Sequence, residues 1–385
     1  MSKHDYTRIP YVIVFEDKSP FKDTYAGQID TVALSAQLLK PDTPSDTVVI
    51  WSHPIGGGSY LPMMNALARA GVHVIYVDTR YRGADYALIM EKVVCDLGAC
   101  VRDAKERMGY KNVILGGWSG GGSMALFYQA EAENPSVKAT PAGEPPDLTT
   151  RDFIPADGIM LVAAHLARHL TLTEWLDPSV MDENNPENRD VELDIYNPNN
   201  PHKPPYSADY LERFRAAQIA RNRRITAGVK EKLAAFREAG QMNREHCFIV
   251  PRTMAEPKWL DPTIDPNGRK PGWCFLGEPE IVNESPVGLA RFCSLRSWLS
   301  QWSYDDANAN GLTCAARISI PALVIGNTAD DGITPEHTHG LYHAIPHDDK
   351  KLVWIQDANH YYFGQRDKAN ESASVCAEWL VAKGF

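Results

Sequence analysis

Short apolar runs alternate with helical patterns in the first and last parts of the chain. Continuous apolar runs of strand length occur at 47–52, 72–78, 112–117, 158–165, 322–327 and 351–356, and residues 31–40 alternate more loosely. Helical patterns lie between these runs, at 62–71, at about 86–108 and directly after Ser119. Buried strands alternating with helices predict an α/β fold with a mostly parallel sheet covered by helices on both faces.

This alternation stops between about 170 and 316. Residues 197–206, NPNNPHKPPY, are rich in proline and asparagine and predict an irregular loop. Apolar residues at helical spacing then predict a long helix over 208–239 and a second amphipathic helix near 289–302. We therefore expect a core formed by 1–169 and 317–385, with 170–316 inserted as a mainly helical lid or cap.

Composition and charge exclude several classes of function. The formal net charge of −10 disfavours non-specific binding to nucleic acid or to anionic lipid. The first twenty residues lack the features of a secretory signal, and no apolar run reaches membrane-spanning length, so we expect no membrane association. Seven scattered cysteines without a C-x-x-C pair favour reduced thiols in a cytoplasmic protein over disulfides or a zinc site.

The strongest chemical signal is the pentapeptide Gly117-Trp118-Ser119-Gly120-Gly121, a G-x-S-x-G between a predicted strand and a predicted helix. In this context the serine lies at a tight, strained turn that presents its hydroxyl to a site. Small residues flank it because the turn brings backbone segments close together. Ser119 is therefore the predicted nucleophile, in preference to a plain glycine-rich turn.

A serine hydroxyl needs a base, and the base needs an orienting acid. His360 follows the last predicted strand and is the only histidine beyond 347, so it is the predicted base. Two acids follow the preceding strand. Counting from the strand end favours Asp330, whereas counting back from the Thr-Pro pair at 334–335 favours Asp331; Asp330 is preferred and Asp331 remains the alternative.

The chain order of serine, acid and histidine, together with the turn and the strand pattern, resembles the α/β-hydrolase superfamily over about 30–165 and 317–385. The resemblance implies a serine hydrolase that needs no metal or organic cofactor. It says little about the substrate, because members cleave esters, lactones, thioesters, amides and peptides.

The loop His53-Pro54-Ile55-Gly56-Gly57-Gly58 occupies the position of the superfamily's His-Gly loop, which supplies one amide of the oxyanion hole. Here the loop departs from the common form, because Pro54 has no N–H to donate. Ile55 is then the expected donor, with Gly56 as the alternative, and Gly120 is expected to supply the second amide.

Weaker signals concern the substrate. Trp118, Trp298 and Trp302 are candidate lining residues of an apolar or aromatic acyl pocket, although the lid tryptophans could equally form the lid's own core. The histidines in HTHGLYHAIPH lack a third ligand at a convincing spacing, so no metal site is expected.

The function expected from these residues is hydrolysis of a carboxylic ester, lactone or thioester of a small molecule through an acyl-enzyme on Ser119. An amidase or peptidase, a carbon–carbon bond hydrolase and an acyltransferase would use the same triad and remain alternatives. A non-catalytic ligand-binding protein is disfavoured by the intact set of three residues. The sequence leaves open whether the chain forms a homo-oligomer.

Overall fold

The computed structural model describes residues 4–22, 28–58 and 61–385. The strands within these ranges are β1 Tyr6–Glu16, β2 Thr31–Pro41, β3 Thr47–Ser52, β4 His73–Val77, β5 Asn112–Ser119, β6 Gly158–Ala164, β7 Cys247–Ile249, β8 Phe292–Ser294, β9 Ala322–Asn327 and β10 Lys350–Ile355. The helices are α1 Pro62–Arg69, α2 Met90–Arg102, α3 Gly120–Glu133, α4 Arg168–Trp175, α5 Ala208–Glu238, α6 Pro257–Leu260, α7 Pro279–Glu284, α8 Leu295–Gln301, α9 Gly311–Ala315, α10 Pro335–Ala344 and α11 Arg366–Lys383.

Eight strands form one sheet in the order β1-β2-β4-β3-β5-β6-β9-β10. Six neighbouring strands of this sheet are parallel to one another: β4, β3, β5, β6, β9 and β10. Strands β1 and β2 add an antiparallel edge beside β4. Because the six are parallel, their carboxyl ends meet at one edge, where an open α/β sheet places its ligand site. The predicted mostly parallel sheet is confirmed.

Helices cover both faces of this sheet because successive side chains of its strands point to opposite faces. Val48 and Ile50 of β3 belong to the core shared with α2, α3, α9 and α10. Val49 and Trp51 belong to the core shared with α1 and α11. A strand buried on both faces must be apolar throughout, which explains the continuous apolar runs in the sequence.

Between β6 and β9 the chain leaves the sheet and forms a long segment, which we call the insert and define as residues 170–316; most of its regular secondary structure is helical. It contains most of α4, all of α5 to α8 and a two-stranded antiparallel ribbon of β7 and β8. Leu172, Ile225, Val229, Trp298 and Leu299 form part of its own apolar core. The last helix before β9, α9, packs instead in the core of the sheet, through Cys314 and Ala315.

Three local predictions differ from the structure. Strand β1 was not predicted, because most of its side chains are exposed or half-buried and its pattern is therefore not that of a buried strand. The helix predicted from about residue 86 begins at Met90, after a short 3₁₀ turn over Asp85–Ala87. The amphipathic segment near 289–302 contains strand β8 followed by α8, which spans only Leu295–Gln301.

Within the described ranges, the helices are all either too short or too polar to cross a membrane.

Candidate active site

Ser119 lies at a strained turn at the carboxyl edge of the sheet. It ends β5 and immediately precedes α3, with φ of 51° and ψ of −122°. A positive φ is costly for a residue with a side chain and persists only where the surroundings impose it. The pairing of β5 with β6 shifts register between Trp118 and Ser119, so the strand breaks at this residue.

The glycines around Ser119 are required by close backbone packing. A Cβ atom on Gly117 would lie 2.6 Å from the Cα of Gly122, and one on Gly121 would lie 2.4 Å from the carbonyl oxygen of Ser52. Both distances are shorter than any Cβ contact allows. The small residues of the motif therefore permit α3 to start directly against β3 and β5.

His360 and Asp330 meet although they follow different strands. The Nδ1 atom of His360 lies 2.9 Å from Oδ2 of Asp330, and both side chains are buried. The other carboxylate oxygen, Oδ1, accepts the backbone N–H groups of Gly332 and Ile333 at 2.8 and 2.7 Å. Asp330 is thus held in one orientation, and it in turn orients the imidazole.

The electrostatics of this pair favour a protonated imidazole. Burial by itself lowers the pKa of His360, but the negative charge of Asp330 and its hydrogen bond, together with the charge of Asp331, outweigh burial, so the pKa is raised. A base with a raised pKa binds the serine proton more strongly. This arrangement is suited to proton transfer.

Asp331 has a different environment from its neighbour. Its backbone carbonyl accepts the Nε1–H of Trp259 at 2.6 Å. Burial and the nearby charge of Asp330 raise the pKa of its carboxyl to about 6. Of the two candidate acids, the structure brings Asp330 into hydrogen-bond contact with His360.

In the loop after β3, the N–H groups of Ile55 and Gly56, the two predicted alternatives for an oxyanion donor, differ in their hydrogen bonds. The N–H of Gly56 donates to the carbonyl of His53 at 2.8 Å, whereas the N–H of Ile55 makes only a long 3.4 Å contact with Nδ1 of His53. The N–H of Gly120 belongs to the first residue of α3, and the first N–H groups of a helix have no partner within it. Ile55 and Gly120 therefore have the more available donors.

Residues that follow β4 hydrogen-bond to the loop after β3. The carboxylate of Asp78 accepts the N–H of Gly57 at 2.8 Å, and the hydroxyl of Thr79 donates to the carbonyl of Pro54 at 2.7 Å. Contacts from a neighbouring strand end thus help to fix the loop conformation.

A cavity of about 430 Å³ connects these groups. Its walls include Ser119, His360 and residues of the loop after β3, and residues of the insert form the other side. A second cavity of about 600 Å³ lies beyond His360 and is lined by Asp331, Trp273 and Phe363, among others. The imidazole of His360 contributes to both cavities.

The three candidate tryptophans have different positions. Trp118 lines the first cavity and packs against the ring of His360, with ring centroids 4.7 Å apart. Trp302 also lines that cavity. Trp298 does not, and its prediction as a substrate-binding residue is wrong: it is fully buried in the core of the insert, where its Nε1–H donates to Thr226 at 2.9 Å.

Sequence reasoning missed three polar groups in the first cavity. His165 and Arg168 follow β6, and His53 follows β3. Burial lowers the pKa of His53 to about 3 and that of His165 well below its usual value, helped in both cases by the charge of Arg168. The position of His165 at the end of a predicted buried strand is the available signal, since the carboxyl ends of parallel strands meet.

No family model matches the chain, and no curated protein matches it in sequence. Among solved structures, the alpha/beta hydrolase GrgF from Penicillium sp. sh18 aligns at 12% identity with a TM-score of 0.54, over 98% of this chain and 100% of that chain. A monoacylglycerol lipase from Paleococcus ferrophilus (17% identity, 91% and 98% covered) and an esterase domain from Rhodothermus marinus (14%, 97% and 98%) align with TM-scores of 0.46 and 0.45. The similarity to the first of these, together with the sheet order and the helices on both faces, shows that this chain has the α/β-hydrolase fold.

Proposed function

We propose that this protein is a serine hydrolase that cleaves a carboxylic ester through an acyl-enzyme on Ser119. One observation carries the proposal: His360, hydrogen-bonded to the buried Asp330, lines the same cavity as a serine held at a strained strand-to-helix turn. A nucleophile, a base and an acid that orients the base are the three elements of this chemistry.

In the first half of the reaction, the Ser119 oxygen attacks the ester carbonyl and its proton passes to Nε2 of His360. Asp330 holds Nδ1, so that Nε2 of the imidazole is left for the serine and the imidazolium that forms is stabilised. The negative charge that develops on the carbonyl oxygen is held by the N–H groups of Gly120 and Ile55. Collapse of this intermediate breaks the ester bond, and His360 gives its proton to the leaving alcohol.

In the second half, water attacks the acyl-enzyme and His360 takes the water's proton. The acid product leaves and the serine hydroxyl is restored with the proton returned from His360. Lactones and thioesters would react by the same two steps, because only the leaving group differs.

The position of His360 indicates where the leaving alcohol and the acyl part of the substrate bind. The leaving alcohol receives its proton from His360, so it must lie on the side of the imidazole. The second cavity, lined by Trp273 and Phe363, adjoins His360 and has room for this group. The acyl part then occupies the first cavity, where Trp118, Phe275 and Trp302 provide apolar and aromatic walls.

The seven cysteines support a cytoplasmic location as part of the proposal. Their sulfurs are unpaired, and all but that of Cys247 are buried. Free buried thiols are typical of proteins in a reducing compartment.

The first prediction tests the nucleophile. Replacing Ser119 by alanine should lower kcat/KM for p-nitrophenyl esters by about 10⁴- to 10⁶-fold, because no other group supplies the covalent step. The protein should also lose labelling by a fluorophosphonate probe, as followed by mass spectrometry, with an unchanged circular dichroism spectrum.

Ser123→Ala is the matched control, because Ser123 is a buried serine one turn further along α3. This variant should keep both labelling and turnover. Full activity in Ser119→Ala would refute the proposal, and matched ester and amide substrates would decide between an esterase and an amidase.

A further inference from the structure

Arg168, the first residue of α4, carries a positive charge inside the first cavity. It is only 5% exposed, and among the described residues no carboxylate lies within ion-pair distance of it. One guanidinium nitrogen, Nη2, donates to Oε1 of Gln301 at 2.9 Å, and the group stacks 4.3 Å above the ring of Trp302. Its Nε is buried and has no hydrogen-bond partner within the described ranges.

A buried cation without a counter-ion is costly, since its water is lost and no anion replaces it. Burial lowers the pKa of Arg168 to about 10, although the charge of Asp85 opposes this, so the group remains a cation at neutral pH. Other buried arginines pair with a carboxylate, as Arg252 does with Asp177 at 2.6 Å, or donate to backbone carbonyls through both Nη atoms, as Arg291 of the same cavity does. Among the described residues, Nη1 of Arg168 has neither kind of partner.

The free end of Arg168 lies beside the nucleophile together with two imidazoles. A Cβ atom placed on Gly120 would lie 3.2 Å from Nη1 of Arg168, 2.9 Å from Nε2 of His53 and 3.3 Å from Nε2 of His165. The Nη1 atom of Arg168 and the Nε2 atoms of the two imidazoles therefore converge on one small region of the cavity.

Resting on the serine hydrolase proposed above, we infer that Arg168 binds a carboxylate carried by the acyl part of the ester. Its guanidinium can donate charge-assisted hydrogen bonds to a carboxylate, and Nη1, the nitrogen that lies nearest Gly120, has no partner among the described residues. Such a substrate is a hemiester of a dicarboxylic acid, with an apolar stem and an anionic end.

The position of Arg168 in the first cavity places the carboxylate on the acyl part of the ester. Arg168 lies next to Gly120, on the side of the serine where the oxyanion is held, and it lines the first cavity. It is absent from the walls of the second cavity, which adjoins His360 and accommodates the leaving alcohol.

The experiment uses a series of p-nitrophenyl hemiesters, from succinate to suberate, each paired with its methyl-capped neutral counterpart. Release of p-nitrophenolate gives kcat/KM for the wild type, Arg168→Met and Arg168→Lys. The wild type should prefer at least one hemiester over its neutral counterpart. In Arg168→Met, kcat/KM for that hemiester should fall by about 10- to 100-fold, the effect of a hydrogen bond to a charged group, while the neutral ester changes by less than about threefold.

Arg168→Lys keeps the charge and should recover part of the preference. Arg223→Met is the control, because Arg223 is an exposed arginine of the insert that pairs with Asp305, and it should leave the preference unchanged. Equal losses on the charged and the neutral ester in Arg168→Met would overturn the inference, because an oxyanion donor or a structural role gives that result. Absence of any preference in the wild type across the series would also overturn it.

Fluorophosphonate labelling of Ser119 separates this inference from the proposed function. A wild type that is labelled and hydrolyses esters without charge preference contradicts only the role of Arg168. A wild type that is neither labelled nor active contradicts the hydrolase itself.

Discussion

Two adjacent carboxylates, Asp330 and Asp331, differ in what surrounds them. Asp330 accepts two backbone N–H groups and contacts the imidazole, so its ionised form is fully satisfied. Asp331 is half-buried and has no comparable set of donors among the described residues, and desolvation and the charge of Asp330 raise its pKa to about 6. The carboxyl of Asp331 therefore changes its charge near neutral pH.

This difference leads to a prediction for two asparagine variants. Asp330→Asn should lower kcat by about 10³- to 10⁴-fold, because the amide no longer holds the imidazole in the required tautomer. Asp331→Asn should keep kcat near the wild-type value on the pH plateau, since Asp331 has no hydrogen bond to His360. Steady-state kinetics at pH 9 on one ester would measure both effects, and similar losses in the two variants would contradict the assignment of the acid.

The same variants should change the pH profile in a defined direction. The base must be neutral to accept a proton, so kcat/KM rises as the pH passes the pKa of His360, which lies above the ordinary value of about 6.5. The charge of Asp331 contributes to this raised pKa. Removing it in Asp331→Asn should therefore move the rising limb to lower pH, whereas Asp348→Asn, an exposed residue at the opposite end of β10, should leave the limb in place.

At the residue scale, Ser119, Asp330 and His360 could be predicted because each directly follows a strand with a clear apolar pattern. Arg168 also follows a strand, but an isolated arginine in a sequence is usually solvated. Its burial depends on Gln301 and Trp302, more than 130 positions further along the chain. The choice between Asp330 and Asp331 likewise depended on loop geometry that strand counting could not give.

At the scale of elements, the turn between β5 and α3 depends on a backbone atom of a third element, β3. A Cβ atom on Gly121 would lie 2.4 Å from the carbonyl oxygen of Ser52, a backbone atom of β3 that is itself paired in the sheet. Side chains at this position must therefore displace α3 from the sheet. The geometry of Ser119 is thus maintained by the contact between a helix start and a neighbouring strand.

This contact can be tested with two glycine-to-alanine variants. Gly121→Ala should lower the free energy of unfolding by about 1–3 kcal/mol by overpacking, and should reduce kcat/KM by about 10²-fold by displacing Ser119. Gly228→Ala is the control, because Gly228 is exposed in α5 and has open space around its Cα. This control should gain up to about 1 kcal/mol in stability with unchanged activity. Urea denaturation and ester kinetics measure both, and wild-type behaviour of Gly121→Ala would exclude the proposed packing constraint.

The elements that the sequence predicted well are those whose pattern reflects burial in the central sheet. Strands β3, β4, β6 and β9 are buried throughout, and each was recognised from its continuous apolar run. Strand β1 lies at the antiparallel edge and has many exposed side chains, so its apolar residues do not form such a run. In the insert, β8 and α8 share one amphipathic segment, and the point where one changes to the other depends on pairing with β7.

At the scale of the whole molecule, the insert takes part in building the site. Asn267 and Trp259 of the insert donate to the backbone carbonyls of Asp330 and Asp331 at 2.8 and 2.6 Å. Phe275 packs against the ring of His360, with centroids 5.7 Å apart. The loop that carries Asp330 and Asp331 and the ring of His360 therefore contact the insert as well as the sheet domain. The site is complete only when the insert is folded against the sheet.

A buried polar contact joins the insert to the sheet domain at a second place. The hydroxyl of Ser300 in α8 accepts the backbone N–H of Met90 at 2.8 Å and donates to the carboxylate of Glu91 at 2.7 Å. Burial raises the pKa of Glu91, although its hydrogen bonds from Ser300 and Asn308 oppose this. The start of α2 thus depends on a side chain more than 200 residues away.

The last prediction concerns this junction. Ser300→Ala leaves a buried N–H and one carboxylate oxygen without a partner, which should lower the free energy of unfolding by about 1–3 kcal/mol. Ser45→Ala, an exposed serine in a turn where water can replace its bonds, should change stability by less than about 0.5 kcal/mol. Because the contact belongs to both parts, the loss in Ser300→Ala should appear equally in urea unfolding followed by tryptophan fluorescence and by far-ultraviolet circular dichroism. Two separated transitions, with only one of them shifted, would mean that the insert and the sheet unfold independently.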